Sequence, residues 1–234
     1  MAKGKSKAGG SAGTGAGGAT GAIVMNQVAD IDGSMIDLSN SPLTYGDDDS
    51  ALTGNARKNI KAFEDKRYKN KVEYAYFVMA DGTQVGVEYR GGSGSVRTPV
   101  WVNKKTDGAM SHNHPREKGI IGGTFSYADL KNFCAYNRTT TRATAKEGTY
   151  SISKGNNFNG DGLKKAFKAF DKQNSINCQR AMGRIRRDLK SGKIGYNTYK
   201  RLQAQNANKM LVKLHDFLLA NQSQYGYTYT LERR

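Results

Sequence analysis

The stretch from Val72 to Tyr89 limits the folds open to this chain more than any other part of it. Two runs rich in β-branched and aromatic residues, 72–79 and 84–89, flank the pair Asp81-Gly82. An Asp-Gly pair between two such runs is typical of a tight hairpin turn, because glycine tolerates the left-handed backbone that the turn requires. The sequence therefore predicts a β-hairpin, and the neighbouring segments are expected to extend or cover its sheet.

Apolar residues at helical spacing predict helices on both sides of the hairpin. One helix is expected over 55–68, and another begins at Ser126 and runs to about Tyr136. Most of the chain from 156 onwards also has helical periodicity, for example Leu163, Ala166, Phe167 and Phe170. The C-terminal third is therefore predicted to be a helical extension.

Short apolar runs between these helices predict further strands. The alternation of Tyr225, Tyr227 and Tyr229 near the C-terminus predicts a last strand with one packed aromatic face. Together the patterns predict an α+β (mixed α/β) fold with a mixed sheet flanked by helices. The other short strands are expected at 100–102, 108–111, 143–145 and 149–152.

The basic residues of the chain are unevenly distributed. Lysine and arginine number 37 against 20 acidic residues, and 16 basic against 5 acidic residues fall between Asp161 and Arg234. This C-terminal excess favours a polyanionic partner such as nucleic acid, although solvated helix faces alone would give the same pattern. Residues 1–21, composed mainly of Gly, Ala, Ser, Thr and Lys, are expected to form a flexible tail, and 22–54 an irregular N-terminal wrap.

Cysteine content and hydropathy bear on the compartment. Only Cys134 and Cys178 are present, without the spacing of a metal finger, which favours a reducing compartment over a secreted scaffold. There is no apolar run of about 18 residues, and the N-terminus lacks the apolar core of a signal peptide. We expect a cytoplasmic protein with no membrane partner.

Two of the three histidines lie two positions apart, in the sequence His112-Asn113-His114-Pro115. On an extended segment, residues two apart project to the same face, so both imidazoles can approach one point. Two histidines and a carboxylate are a typical catalytic zinc set. Asp129, in the first turn of the helix that begins at Ser126, is the expected third ligand, since the eleven intervening residues allow the chain to return.

Hydrolysis at such a site requires a general base, and Glu73 is the candidate. It shares a strand face with Ala75, Phe77 and Met79, where an unpaired carboxylate is costly. Glu88 on the second arm of the hairpin is the competitor, but its position near the loop end is typical of an ordinary surface ion pair.

In these positions the sequence resembles the JAMM, also called JAB or MPN, metallopeptidase superfamily. The pattern of that family is a strand glutamate, then His-x-His-Pro, then Ser-x-x-Asp, which correspond here to Glu73, to 112–115 and to 126–129. These motif residues are most similar to those of RadC-like proteins and of JAB-like domains attached to phage head-morphogenesis proteins. The resemblance implies a phage or mobile-element origin, and with it a location in the cytoplasm of a bacterial host or in association with a virion.

We expect a JAB-like domain over 55–155, followed by a basic helical extension over 156–234 that the apolar spacing and the charge predict. The resemblance itself covers about 71–152. It implies a curved sheet flanked by helices, and a Zn²⁺ ion held by His112, His114 and Asp129. Glu73 would activate water and Ser126 would help to stabilise an oxyanion, in a hydrolase that cleaves a peptide or isopeptide bond.

Other functions and other roles for the same residues remain open. The protein could be a non-catalytic, virion-associated or nucleic-acid-binding structural protein on a JAB-like fold, or a toxin-type nuclease in which one of the paired histidines acts as the base. Ser126 and Asp129 also form a helix capping box variant. His215, alone on a helix, is expected to be a surface or boundary residue without a role.

Overall fold

The structure is a computed structural model that describes residue 46, residues 52–115 and residues 119–234. The predicted tail over 1–21, and the predicted wrap over 22–54 apart from residues 46 and 52–54, lie outside the described residues. The helices are α1 Gly54–Arg67, α2 Val100–Lys105, α3 Tyr127–Ala135, α4 Gly160–Lys190, α5 Tyr196–Ala220 and α6 Gln222–Tyr225. The strands are β1 Tyr74–Val78, β2 Tyr89–Arg90, β3 Ala109–Asn113, β4 Thr140–Thr144, β5 Gly148–Lys154 and β6 Tyr227–Arg233.

These strands form one six-stranded mixed sheet in the order β2-β1-β3-β4-β5-β6. Only β3 and β4 run parallel, and α3 lies in the connection between them. The other neighbouring strands pair antiparallel. The predicted α+β fold with a mixed sheet flanked by helices is therefore confirmed.

Helices cover both faces of this sheet. On one face α1 packs against β1 and β3, with Ile60 next to Val78 and Ala109. On the other face α3, α4 and α5 contribute Leu130, Phe167 and other side chains to the largest apolar core. In β1 and β3, alternate side chains enter different cores: Val78 and Ala109 pack with Ile60 of α1, whereas Phe77 and Met110 pack on the opposite face.

The face covered by α1 also contains a buried ion pair. Arg142 of β4 donates from Nε to Glu64 Oε1 at 2.7 Å, and the Ser111 hydroxyl donates to the same oxygen at 2.9 Å. Arg142 is 1 % exposed and Glu64 is 0 % exposed. Removing one partner of a buried pair leaves an uncompensated charge, so this pair fixes how α1 sits on the sheet.

The predicted hairpin is present, but its second arm is interrupted. Gly82 turns the chain at φ 94°, and the Asp81 carboxylate accepts a hydrogen bond from the backbone N–H of Thr83 at 2.8 Å. Val78 pairs with Gln84, and the ladder resumes with β2. Between these points lies Gly86 at φ 73°, and extra residues on this arm bulge out of register.

The prediction of a strand over 100–102 is wrong, because these residues begin α2. Three apolar residues are too few for periodicity to separate strand from helix. Pro99 precedes the helix and its carbonyl oxygen accepts from the backbone N–H of Val102 at 3.2 Å, closing the first turn. Val102 is buried, whereas Val100 and Trp101 are exposed.

Most of the other predicted elements are present. The helix over 55–68 is α1, and the strands expected at 108–111, 143–145 and 149–152 are close to β3, β4 and β5. The aromatic strand near the C-terminus is β6, whose Tyr227 and Tyr229 are buried in the core as predicted. The inclusion of Tyr225 in this strand is wrong, because Tyr225 ends α6 and Gly226 turns the chain before β6.

β6 also qualifies the predicted division of the chain into domains. It pairs with β5 along its whole length, so residues on both sides of the predicted boundary at 155 and 156 belong to one sheet. The separation of a JAB-like domain from a helical extension stays a prediction.

The interpretation of His215 as a surface or boundary residue is wrong. It is 1 % exposed, and its Nδ1 lies 2.8 Å from the hydroxyl of Tyr229 on β6. The same hydroxyl lies 2.7 Å from Thr124 Oγ1. His215 therefore belongs to a buried polar contact that ties α5 to β6 and to the segment before α3.

Candidate metal centre

Strand pairing places the predicted base and the two histidines on one face of the sheet. Ala75 of β1 lies directly opposite His112 of β3, and opposite residues in an antiparallel pair point to the same side. Glu73 is two residues before Ala75, and His114 is two residues after His112, so both share that side. This is the face that α3 covers.

The start of α3 orients the third predicted ligand. Ser126 is the N-cap residue, and its hydroxyl oxygen accepts from the backbone N–H of Asp129 at 3.3 Å. In return the Asp129 Oδ2 atom accepts from the backbone N–H of Ser126 at 2.8 Å and from its hydroxyl at 2.7 Å. The capping-box interpretation is confirmed, and the other carboxylate oxygen is left to face the histidines.

The structure brings His112, His114 and Asp129 together. The two Nε2 atoms lie 2.8 Å apart, and Asp129 Oδ1 lies 3.4 Å from Nε2 of His112. One donor atom from each residue lies within 4.8 Å of the other two. His112 is fully buried, whereas the side chains of His114 and Asp129 are 16 % and 18 % exposed.

These donor atoms fit a metal ion. Two imidazole lone pairs that face each other repel unless a proton or a cation lies between them, and an Asp129 oxygen adds negative charge beside them. His114 Nδ1 lies 3.1 Å from the Gly123 carbonyl oxygen, an acceptor that would orient the ring with Nε2 free for a metal. His112 Nδ1 has no hydrogen-bond partner within the described ranges, so this second contact is present for one histidine only. The group could bind a metal ion.

The charges in the group shift one another's pKa values. Burial lowers the pKa of His112, but the negative charges of Asp129 and Glu73 outweigh it, and its pKa is raised. For His114, burial and the His112 charge lower the pKa to about 4. Burial raises the pKa of the Asp129 carboxyl, but the two histidines and Ser126 hold it well below its usual range. His114 and Asp129 are therefore in the deprotonated states that a metal requires at neutral pH.

Glu73 lies at the edge of the same site. It is 7 % exposed and lines a cavity of about 300 Å³ together with His114, Ser126 and Asp129. Burial raises the pKa of its carboxyl, His112 lowers it in part, and Asp129 raises it further. A carboxylate with a raised pKa is a better proton acceptor near neutral pH, which suits a general base.

The competing carboxylate is placed elsewhere. Glu88 pairs with Arg67, and its Oε2 lies 3.4 Å from the Lys66 ammonium at the end of α1. It does not line the cavity. The interpretation of Glu88 as an ordinary surface ion pair is confirmed.

Sequence reasoning missed the far wall of the cavity. Arg138, between α3 and β4, and Asn103 of α2 line it, as does the loop 93–96. Asn103 directly follows the segment predicted as a short strand, and Arg138 stands in a polar connection without a motif. No local signal could have assigned either residue to the site.

Comparison with known proteins finds no matching family, no similar curated protein and no similar solved structure. Within the described residues, no helix combines the length and the apolar character needed to cross a bilayer.

Proposed function

We propose that the protein is a zinc-dependent hydrolase of the JAMM type that cleaves a peptide or isopeptide bond. The observation that carries the proposal is the convergence of His112, His114 and Asp129 within 4.8 Å beside a cavity that the buried Glu73 lines. Two histidines and one carboxylate, with an open side for water and substrate, are the donor set of catalytic zinc sites. A purely structural zinc site is instead closed by four protein ligands.

The chain's own residues provide the remaining functions. A bound Zn²⁺ ion lowers the pKa of water and polarises a carbonyl group. Glu73 accepts the proton of the attacking water and returns it to the leaving amine nitrogen, which otherwise departs as an unstable anion. The Ser126 hydroxyl is the proposed donor to the oxyanion, which requires its single hydrogen to turn away from Asp129 Oδ2 while its oxygen still accepts from the Asp129 backbone N–H.

Metal content and hydrolysis in single variants test this proposal. We expect the full chain, reconstituted with Zn²⁺ and dialysed, to retain one equivalent, and His112→Ala and Asp129→Ala to retain none. Glu73→Gln should keep the metal but lose roughly 10²- to 10⁴-fold of its hydrolysis rate on a peptide library read by mass spectrometry. Glu88→Gln is the matched control, because it neutralises the competing carboxylate outside the cavity.

Two outcomes would contradict the proposal. The first is a protein that binds no zinc and whose melting temperature is unchanged by a chelator. The second is a Glu73→Gln variant that hydrolyses peptides at the wild-type rate. Nuclease activity that persists in chelator would instead favour the toxin-type alternative.

The exposed basic residues of α4 and α5 favour a second candidate, a structural protein that binds nucleic acid. Arg184, Arg186, Arg187 and Lys190 are all exposed near the end of α4. A cluster of exposed cations attracts phosphate backbones without reading their sequence. This candidate requires neither a metal nor Glu73, so the variants above leave it unaffected.

A further inference from the structure

The cavity beside the candidate metal centre contains a cation that neither the metal ligands nor the proposed base requires. Arg138 lines the cavity and is 1 % exposed. Its Nε donates to Thr141 Oγ1 at 3.0 Å, and its Nη1 donates to Asn103 Oδ1 at 2.9 Å. Both acceptors are neutral, so hydrogen bonds hold the guanidinium in place without compensating its charge.

No carboxylate in the described part of the chain pairs with Arg138. Arg142, four residues along the chain, shows the contrast, because its guanidinium donates to Glu64 on the opposite face of the sheet. Burial lowers the pKa of Arg138 to about 10, which still leaves it charged at neutral pH. Tyr136 and the Asp129 carboxylate raise that pKa in part, but neither forms a hydrogen bond with Arg138. A buried charge without a hydrogen-bonded counterion is costly, and its retention beside a cavity points to an anion that binds there.

Three of the five N–H donors of Arg138 remain for a ligand, one on Nη1 and two on Nη2. No hydrogen bond within the described residues engages Nη2, while Thr141 and Asn103 fix the plane of the guanidinium. A guanidinium held in one plane matches the two oxygens of a carboxylate. The cavity, at about 300 Å³, has room for roughly one or two amino-acid residues.

Arg138 is close to the candidate metal centre as well. It lines the same cavity as His114 and Asp129, two of the three candidate ligands. A substrate with its scissile carbonyl at the metal centre can therefore place a nearby carboxylate on Arg138. Thr98 and Ser95, which also line the cavity, add polar side chains around that position.

We infer that Arg138 binds a carboxylate of the substrate, so that the hydrolase acts on amides with a free carboxylate next to the scissile bond. The inference rests on the proposed function, because it names the substrate class of the same site. The carboxylate could be the C-terminal carboxylate of the leaving residue or its acidic side chain, and both present the same group to the guanidinium.

Paired substrates test the inference on the zinc-loaded full chain. Acetyl-Ala-Ala with a free C-terminal acid is compared with its C-terminal carboxamide, and acetyl-Ala-Glu carboxamide with acetyl-Ala-Gln carboxamide. In at least one of the two pairs, we expect kcat/KM for the substrate with the free carboxylate to be on the order of 100-fold higher than for its neutral counterpart. Arg138→Met should abolish this preference by slowing only the acid substrate, with the zinc content unchanged.

Matched variants separate binding by Arg138 from a structural role. Arg138→Lys keeps the charge but not the planar fork of donors, so we expect an intermediate preference for acid over neutral substrates. If Arg138→Met does not fold, Arg138→Lys takes its place in the test. Thr141→Val removes the acceptor of Nε with little change in volume, and should weaken the preference. Arg184→Met removes an exposed arginine of α4 and should leave the preference unchanged. A structural role would instead slow acid and neutral substrates alike.

A binding measurement distinguishes failure of this inference from failure of the proposed function. Calorimetry on the zinc-loaded Glu73→Gln variant measures its affinity for acetyl-Ala and for the corresponding carboxamide. We expect the affinity for acetyl-Ala to fall at least tenfold in the double variant that also carries Arg138→Met. If no amide is cleaved but this difference persists, the proposed function fails and Arg138 remains a carboxylate site. If amides are cleaved with no preference for either acid, or Arg138→Met retains the preference, the inference is overturned.

Discussion

At the scale of single residues, the protonation states of His112 and His114 determine whether the candidate metal centre can bind an ion. The Nε2 atoms of His112 and His114 face each other at 2.8 Å, so only one of the two rings can readily carry a charge. Asp129 and Glu73 stabilise the charge on His112, whereas burial and His112 itself lower the pKa of His114 to about 4. The two imidazoles therefore titrate far apart although they belong to one site.

This separation predicts how zinc affinity depends on pH. Metal binding requires both imidazoles to be deprotonated, and of the two only His112, with its raised pKa, still holds a proton near neutral pH. As pH falls below that pKa, a proton occupies the lone pair that zinc needs, and affinity should fall by about tenfold per pH unit. When the zinc dissociation constant is measured between about pH 5 and 8, we expect its logarithm to change with pH as for the release of one proton, and not of two.

The Glu73→Gln variant provides the control for this pH dependence. Because the Glu73 carboxylate raises the pKa of His112, its neutralisation should move the loss of zinc affinity to lower pH. An unchanged position, or a slope of two protons in the wild-type chain, would contradict the assignment of the competing proton to His112.

At the scale of elements, the first turn of α3 couples helix formation to ligand geometry. The capping box directs Oδ2 of Asp129 to Ser126 and leaves Oδ1 3.4 Å from His112. Negative charge is also favourable at a helix N-terminus. The same contacts that begin the helix therefore aim a carboxylate at the histidines.

Ser126→Ala should consequently weaken both helix and site. It removes a cap worth about 1 kcal/mol in the free energy of unfolding. It also removes one of the two hydrogen bonds that orient Asp129 Oδ2, while the backbone N–H remains, so zinc affinity should fall by about tenfold. Urea denaturation and zinc titration measure the two effects.

Asn159→Ala is the matched control, because Asn159 caps α4 in the same way. Its side-chain oxygen accepts from the backbone N–H of Gly162 at 2.9 Å, and it does not line the cavity. We expect a similar loss of stability without any loss of zinc affinity. Equal zinc affinities in the two variants would mean that Ser126 does not position Asp129.

At the scale of the whole molecule, charge and chemistry occupy different parts of the chain. The candidate metal centre lies where β1, β3 and the start of α3 meet, while 16 of the 37 basic residues follow Asp161. Most of these basic residues are exposed on α4 and α5. Helices that pack one apolar face on the sheet present the other face to solvent, where cations are retained at little cost.

Neutralising the cluster Arg184, Arg186 and Arg187 to glutamine tests the second candidate. If the cluster meets phosphates, affinity for a 20-base-pair DNA duplex should fall, and the slope of log affinity against log salt should decrease by about 0.9 per lost contact. Fluorescence anisotropy at several salt concentrations measures the slope.

The corresponding control neutralises three exposed lysines outside the C-terminal helices, Lys104, Lys105 and Lys131. It removes the same net charge, so any general effect of charge should appear in both variants. Equal slopes for the two triple variants, or no duplex binding at low salt, would refute a nucleic-acid surface on α4.

Local patterns in the sequence determined much of the fold and the choice of candidate metal ligands. Strand alternation placed Glu73, His112 and His114 on extended segments, and the Ser126 cap marked the start of α3, because side-chain direction follows from backbone period alone. Short apolar runs were less informative, as the helix at Val100 and the bulge at Gly86 show. At Val100 the apolar run was too short for its periodicity to distinguish a strand from a helix.

Only the tertiary structure decided which residues share the cavity. His112 and Asp129 are 17 positions apart and meet because β3 runs parallel to β4, with α3 returning over the sheet face between them. Arg138 and Asn103 join them from elements whose local sequence does not suggest a site. Long-range pairing fixes such contacts, and no local periodicity encodes it. A sequence motif could therefore suggest the candidate ligands, whereas no motif suggested the buried arginine.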